Sequence, residues 1–275
     1  MQKSAKIFLK SFLKEDIGIG DITSKLLPRK KIIASIISRE NGIVAGVQFA
    51  KEIFQSNNCR VIIHRKDGQI VHPNQKIMTI TGDVYPILSC ERTALNLMSR
   101  MSGIATQTGI YAKKIYSANP KVGLYSTRKT APGLRIFDKD AVVIGGGHRH
   151  RMSLDKMIMI KDNHIAASDS LLVLIKRAKQ KHKKIEVEVE NLQDAITAAR
   201  EGVDIIMLDN MSPPRIRKII KKLDQLNLRN KVKIEASGGI NYSNVEKYAR
   251  SGVDMISIGR LTSSVSGLDL SLEVN

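Results

Sequence analysis

The chain has no tryptophan, and aromatic residues fill only 4% of its 275 positions. A groove that stacks nucleic-acid bases needs aromatic faces interleaved with cations, so this scarcity argues against such a surface. Cysteine is also rare. Cys59 and Cys90 are too few for a disulfide framework, and neither belongs to a metal-like pair, which fits a reduced, cytoplasmic protein. No apolar run approaches the roughly 18 residues that a membrane span needs. In Met1–Asp16 the apolar residues Ile7, Phe8, Leu9, Phe12 and Leu13 are spaced like one helix face, while Lys10, Lys14, Glu15 and Asp16 interrupt any signal-peptide core. Negative charge is the last shortage: 26 Asp and Glu face 45 Lys and Arg, for a net charge of +19. Most of the lysines fall in helix-like segments such as Lys176–Lys184 and Arg215–Lys222, where a solvated face accounts for them. The excess draws anionic substrates without identifying them.

What the chain does have is rhythm. Up to residue 118 the pattern is mixed. Strand-like runs stand at Ile32–Ile37, Val61–His64 and Lys76–Thr81, a helix is expected over Val47–Gln55, and a helical stretch over Tyr85–Ser117 is broken near Ser102-Gly103. Asp21-Ile-Thr23 follows a glycine turn as a helix cap. After Asn119-Pro120 strands alternate with helices. The strand candidates are Val122–Tyr125, Val142–Ile144, Met157–Ile160, Ile185–Val189, Asp204–Leu208, Val232–Ala236 and Met255–Ile258. Helices are expected at Ser168–Gln180, Asn191–Glu201, Pro213–Leu226 and Tyr242–Ser251. Such alternation implies parallel strands joined by helical crossovers, either closed as a barrel or open as a doubly wound sheet. Charged residues or glycine follow nearly every strand, which favours a barrel, since an open sheet gathers its site at one switch point.

Those strand ends carry the candidate chemistry. Arg128 can grip a carboxylate or phosphate with two parallel hydrogen bonds, and Lys129 adds a point charge. His150 and Arg151, after a triple-glycine turn, read either as an anion grip or as an exposed loop. Zinc held by His148 and His150 is disfavoured by the flanking Arg149 and Arg151. Period-two alternation puts Glu186, Glu188 and Glu190 on one strand face, where a barrel interior would demand cations or a metal. Glu188 with Asp209 suits Mg²⁺ held through water, or stabilisation of a developing cation. Ser237-Gly238-Gly239 and Gly259-Arg260 follow the last two strands, where glycine lets backbone amides approach a phosphate.

In order along the chain, Glu15–Thr23, Glu91–Asn96, Ser102–Thr106, Thr127–Arg135, Gly145–Arg151, Ile160–His164, Glu186–Glu190, Met207–Asn210, Ala236–Ile240 and Gly252–Ser257 together resemble quinolinate phosphoribosyltransferase, the nicotinate-nucleotide pyrophosphorylase (carboxylating) of NAD biosynthesis. The resemblance implies an N-terminal α/β sandwich domain plus an incomplete, six- or seven-stranded α/β barrel with parallel strands. The expected boundaries are 1–118 for the sandwich, joined by the tail 264–275, and 119–263 for the barrel. It implies a Mg²⁺-dependent enzyme that joins quinolinate to phosphoribosyl pyrophosphate and assembles as a dimer or hexamer, with no nucleic-acid or membrane partner. By motif position, Arg92, Arg128, His150, Arg151 and Lys161 would hold quinolinate, with Arg92 reaching a neighbouring subunit's site, and Thr127 would join the substrate-binding set. Lys129 and Lys161 would face the pyrophosphate, Glu188 and Asp209 the ribose and an indirectly held metal, and Ser237, Gly238, Gly239, Ile258, Gly259 and Arg260 the 5′-phosphate. Lys129, Lys161, Glu188 and Asp209 form the implied catalytic set. Three positions depart from the family pattern: Ser126 for Asp, Arg149 for Asn, and Ser263 for His.

Overall fold

The computed structural model describes residues 3–168, 170–181 and 183–275. Met1 and Gln2 of the expected first helix, Asp169 of the expected Ser168–Gln180 helix, and His182 of the Lys176–Lys184 run lie outside them. In chain order the helices are α1 (Lys3–Ile17), α2 (Val47–Gln55), α3 (Val84–Ala118), α4 (Arg135–Ile144), α5 (Asp162–Ala166), α6 (Leu171–Lys179), α7 (Leu192–Arg200), α8 (Pro213–Gln225), α9 (Val245–Ala249) and α10 (Arg260–Ser263). The strands are β1 (Lys31–Ser38), β2 (Gly42–Ile43), β3 (Arg60–Ile63), β4 (Ile70–Val71), β5 (Lys76–Asp83), β6 (Gly123–Tyr125), β7 (Ile158–Ile160), β8 (Ile185–Val189), β9 (Ile205–Asp209), β10 (Lys233–Ser237), β11 (Met255–Ser257) and β12 (Leu270–Val274). The chain divides into two compact units. One comprises the residues up to Gly109 with Thr130–Gly146 and Leu261–Asn275, and the other Ile110–Lys129 with Gly147–Arg260.

In the first unit a four-stranded sheet runs β12-β1-β5-β3, with β1 antiparallel to both β12 and β5. The carboxy-terminal strand therefore closes the edge of β1, which shields backbone groups that an open edge would expose. Phe137 of α4 is fully buried and meets Phe8, Phe12 and Phe49, with ring centroids 6.3, 5.7 and 4.9 Å away. Buried Asp138, on the same helix, accepts two hydrogen bonds from Arg100 at 2.8 and 2.9 Å. These contacts explain a correction. Val142–Ile144 reads as a β-rich run, yet it is the last turn of α4. Phe137, Ala141 and Val142 share a helical face, and burial of that face outweighs the local strand preference of two valines. For the same reason Thr130–Gly146 groups with the first unit, although the sequence boundary put it beyond residue 118.

A second correction concerns α3, which runs unbroken for 35 residues through Ser102-Gly103. Gly103 is an approach point instead of a break: a Cβ there would lie 1.9 Å from the Ser266 carbonyl oxygen. Ser102 Oγ meanwhile bonds both the amide and the carbonyl of Ala45, at 2.9 and 3.2 Å. Thr23 stands at the N-cap of a short turn of 3-10 helix but makes no side-chain cap bond; Asp21, two residues earlier, accepts the Thr23 and Ser24 amides at 3.1 and 2.9 Å.

The second unit is built on a six-stranded parallel sheet in the order β6-β11-β10-β9-β8-β7, an incomplete barrel. Beyond β6, His148 makes a single parallel bridge to Tyr125. The crossover helices start where their sequences dictate. Asn191 caps α7 by accepting the Asp194 amide at 2.9 Å, Ser170 caps α6, and Pro213 opens α8, where a missing amide proton costs nothing. Strand β8 is buried at four of its five positions, as expected of a strand lying between helices and a barrel interior.

Candidate active site

Strand register decides which side chains face inward. Met157, Ile205 and Met255 form a buried cluster with Tyr125 and Met159 packed against it. Pairing places Met159 beside Glu186 and Glu186 beside Ile205, so Glu186 shares that face. Likewise Glu188 lies beside Met207, and Glu235 beside Met207 and Met255. Side chains alternate along a strand, so Asp209, Ser237 and Ser257 continue the inner rows towards the carboxyl ends. Glu186, Glu188 and Glu235 thus occupy the barrel interior among apolar neighbours, with Asp209 at the carboxyl end of its row.

At the carboxyl end Lys161 forms an ion pair with Glu188, whose side chain is 13% exposed. Lys161 stands at the corner between β7 and α5, and its amide donates to His164 Nδ1 at 3.0 Å, which pins the turn. Next along, the half-buried Asp209 accepts a hydrogen bond from Asn210 Nδ2 at 2.5 Å. Asn210 adopts φ +50° and donates its amide to the Ser237 carbonyl at 2.9 Å. This bond ties the ends of β9 and β10 together and leaves no room at the next residue. Gly238, at φ +83°, would place a Cβ 2.2 Å from Asn210 Oδ1. At the end of β11, a Cβ on Gly259 would meet Lys129 Cδ at 2.9 Å, so the Lys129 side chain lies across that glycine. Thr127 Oγ1 accepts the Lys129 amide at 3.1 Å and holds the loop after β6.

Arg151 donates to the Met157 carbonyl at 3.3 Å and touches Met159 Sδ at 3.1 Å. Its guanidinium pKa is lowered, first by burial and then by Arg128, while Glu186 and Glu188 pull it back up. Arg128 and Arg151 are therefore neighbours in the same cationic cluster. Arg128 Nε is buried without a hydrogen-bond partner. Ser126, one of the departures from the family pattern, is fully buried and donates from Oγ to the Arg149 carbonyl at 2.8 Å, so two of the three departures are in contact.

His150 takes an arrangement that the sequence did not reveal. Its backbone is left-handed, at φ +51°, and Nε2 lies 3.1 Å from Glu235 Oε2 and 3.3 Å from Glu186 Oε2. Both acids are fully buried. Burial, and next Glu235, push the Glu186 carboxyl up to about 9, with Arg151 and Lys161 acting in the opposite direction. These three side chains are the group among the described residues whose ligand atoms gather within 4.8 Å, close enough for a metal. A cavity of about 700 Å³ reaches His150, Arg151 and Tyr125 from the opposite, amino-terminal end of the strands, between Lys184 and Lys233. It is not at the carboxyl ends, where barrel chemistry is found.

At the strand ends Lys161 thus meets Glu188, Asp209 is joined through Asn210 to Ser237 and Gly238, and Lys129, held by Thr127, lies over Gly259, while His150 meets Glu186 and Glu235. Gly259 belongs to the same end, and Arg260 follows it as an exposed first residue of α10. Ile258 is buried and donates its amide to the Tyr125 carbonyl at 3.0 Å. Arg92 lies exposed on α3, in the first unit.

Comparison with known proteins agrees over the full length. The model of the quinolinate phosphoribosyl transferase N-terminal domain matches residues 21–102, and that of the C-terminal domain matches residues 104–273. A protein of Methanothermobacter thermautotrophicus named probable nicotinate-nucleotide pyrophosphorylase (carboxylating) is 43% identical over 271 residues, covering 97% of each chain. One of the same name from Archaeoglobus fulgidus is 44% identical, over 93% of this chain and 98% of the relative. The crystal structure of nicotinate-nucleotide pyrophosphorylase from Ehrlichia chaffeensis superposes with a TM-score of 0.93 at 36% identity, covering 100% of both chains. With both domains matched in order and relatives aligned from end to end, the chain belongs to the quinolinate phosphoribosyltransferase family.

Proposed function

We propose that the chain catalyses the reaction for which its family is named: it joins quinolinate to phosphoribosyl pyrophosphate and releases pyrophosphate and CO₂, giving nicotinate mononucleotide for de novo NAD biosynthesis. The observation that carries this reading is the Lys161–Glu188 ion pair beside Asp209, on the inner face of adjoining strands, with Arg128 and Arg151 as cationic neighbours. Such a mouth has cations for two polyanions and acids for the cation that develops between them.

As pyrophosphate departs, C1 of the ribose takes on oxocarbenium character. Glu188 and Asp209 then stabilise the transition state more than the ground state. Lys129 and Lys161 neutralise the leaving group. Arg128, His150, Arg151 and Lys161 hold the two quinolinate carboxylates and align the ring nitrogen with C1. Once that nitrogen is bonded and positively charged, the carboxylate on the adjacent carbon leaves as CO₂ and the ring takes up a proton in its place. Backbone amides of Ser237–Gly239 and Ile258–Arg260 take the 5′-phosphate. Two carboxylates at adjoining strand ends suit a hard cation held through water, so Glu188 and Asp209 would hold Mg²⁺, which when bound offsets the charge of the pyrophosphate.

The protein works in the cytoplasm as a homodimer or hexamer, and Arg92 reaches the site of a neighbouring copy. Ile19, Ile22 and Leu26 are all exposed in one short stretch, as suits a surface that a second copy covers. Purified protein given quinolinate, phosphoribosyl pyrophosphate and Mg²⁺ is expected to form nicotinate mononucleotide. Lys161→Ala and Glu188→Gln are expected to stay folded and lose turnover by on the order of 100-fold or more. Absence of product from the unaltered protein refutes the assignment.

A further inference from the structure

We propose that Glu186 and Glu235 are positioning residues that clamp the His150 imidazole by Nε2 and so fix the orientation of its ring, and that this clamp sets the preference for a diacid over a monoacid. It rests on the reading of His150 as a quinolinate-binding residue.

Two carboxylates from different strands, β8 and β10, approach the same ring nitrogen at 3.3 and 3.1 Å. Register puts both on the inner face, so this is where the pleat places them. A carboxylate beside Nε2 fixes a proton on that nitrogen. The second observation is on the acids themselves. Both Glu186 oxygens and Glu235 Oε1 are buried without a hydrogen-bond partner, so Glu186 approaches His150 without completing a bond. Leaving such groups unpaired is costly, and they persist only where something else is gained. His150 also holds a left-handed backbone, uncommon for a residue with a side chain, at the point where the ring meets both acids. Tyr125 limits the ring from the side, edge-on at 6.0 Å.

The test uses the intact protein. Glu235→Gln and Glu186→Gln, each alone and in a His150→Ala background, are assayed for KM against quinolinate and phosphoribosyl pyrophosphate and for the ratio of kcat/KM between quinolinate and nicotinate. The clamp predicts that Glu235→Gln raises KM for quinolinate by about tenfold, leaves KM for phosphoribosyl pyrophosphate within about twofold, lowers the diacid preference, and adds little once His150 is gone. Should Glu235→Gln fail to fold, Glu186→Gln and Glu235→Asp carry the same comparison. An equal rise in both KM values, or an undiminished effect in the His150→Ala background, overturns the clamp. So does tight Zn²⁺ or Mn²⁺ binding that the variants abolish without moving KM for quinolinate. An unaltered protein that makes no product refutes the reading of the site instead, whereas an active one indifferent to both variants refutes the clamp alone.

Discussion

Arg128 and Arg151 sit in one cluster and oppose each other, which is tolerable only while anions lie between or beside them. A charge-assisted hydrogen bond contributes about 1.5–3 kcal/mol. Replacing either arginine by alanine is therefore expected to lower kcat/KM by about 10- to 100-fold, read from steady-state rates at limiting quinolinate. Glu186 gives a prediction of opposite character. Its carboxyl is held near 9 in the folded protein against an ordinary 4.5. Below pH 4.5 both states are protonated and the group is neutral to stability. Above it the unfolded chain sheds a proton that the folded chain keeps, so stability falls as pH rises towards 9, by at most about 1.4 kcal/mol per unit. Glu186→Gln should thus gain Tm relative to the parent as pH climbs from 5 to 9, and an advantage that stays flat with pH contradicts this. Lys161 and Asp209 were legible in the sequence because each closes an apolar run, and Glu188 because alternation along Ile185–Glu190 set it on one strand face. Glu235 was not, because it lies in the middle of Lys233-Ile-Glu-Ala, before the strand end. The period-two rule that put Glu186 and Glu188 on one face applies to β10 as well, and would have pointed Glu235 inward.

Among the elements, the regular ones were easiest to read. Alternation located β8 at its observed bounds, and the helix α8 differs from its expected range by one terminal residue. Reading failed where tertiary contact overrode local preference. Gly103 looked like a helix break, but the chain needs it because the Ser266 carbonyl passes over α3. Val142–Ile144 looked like a barrel strand, but Phe137 commits that segment to the first unit. Gly103→Ala is expected to destabilise by about 1–3 kcal/mol, measured by denaturant midpoint, since a backbone atom rather than a mobile side chain must give way. Gly238→Ala combines a strained φ with a collision against Asn210. It is expected to raise KM for phosphoribosyl pyrophosphate more than KM for quinolinate, because it distorts the turn assigned to the 5′-phosphate.

Taken whole, the molecule carries a net charge of +19, and among the described residues no helix is long and apolar enough to cross a membrane. The charge is spread over many exposed lysines, which screens readily, whereas the inner cations are partly desolvated. Raising ionic strength from about 0.05 to 0.5 M should therefore lower kcat/KM for both anionic substrates while leaving kcat nearly unchanged. The central claim is that the cationic cluster and its acids couple glycosyl transfer to loss of a carboxylate. The most direct measurement follows carboxyl-labelled quinolinate with purified protein and Mg²⁺, with and without phosphoribosyl pyrophosphate. Labelled CO₂ should appear only when the sugar donor is present, one for each pyrophosphate released. Release without the donor, or none with it, contradicts the account.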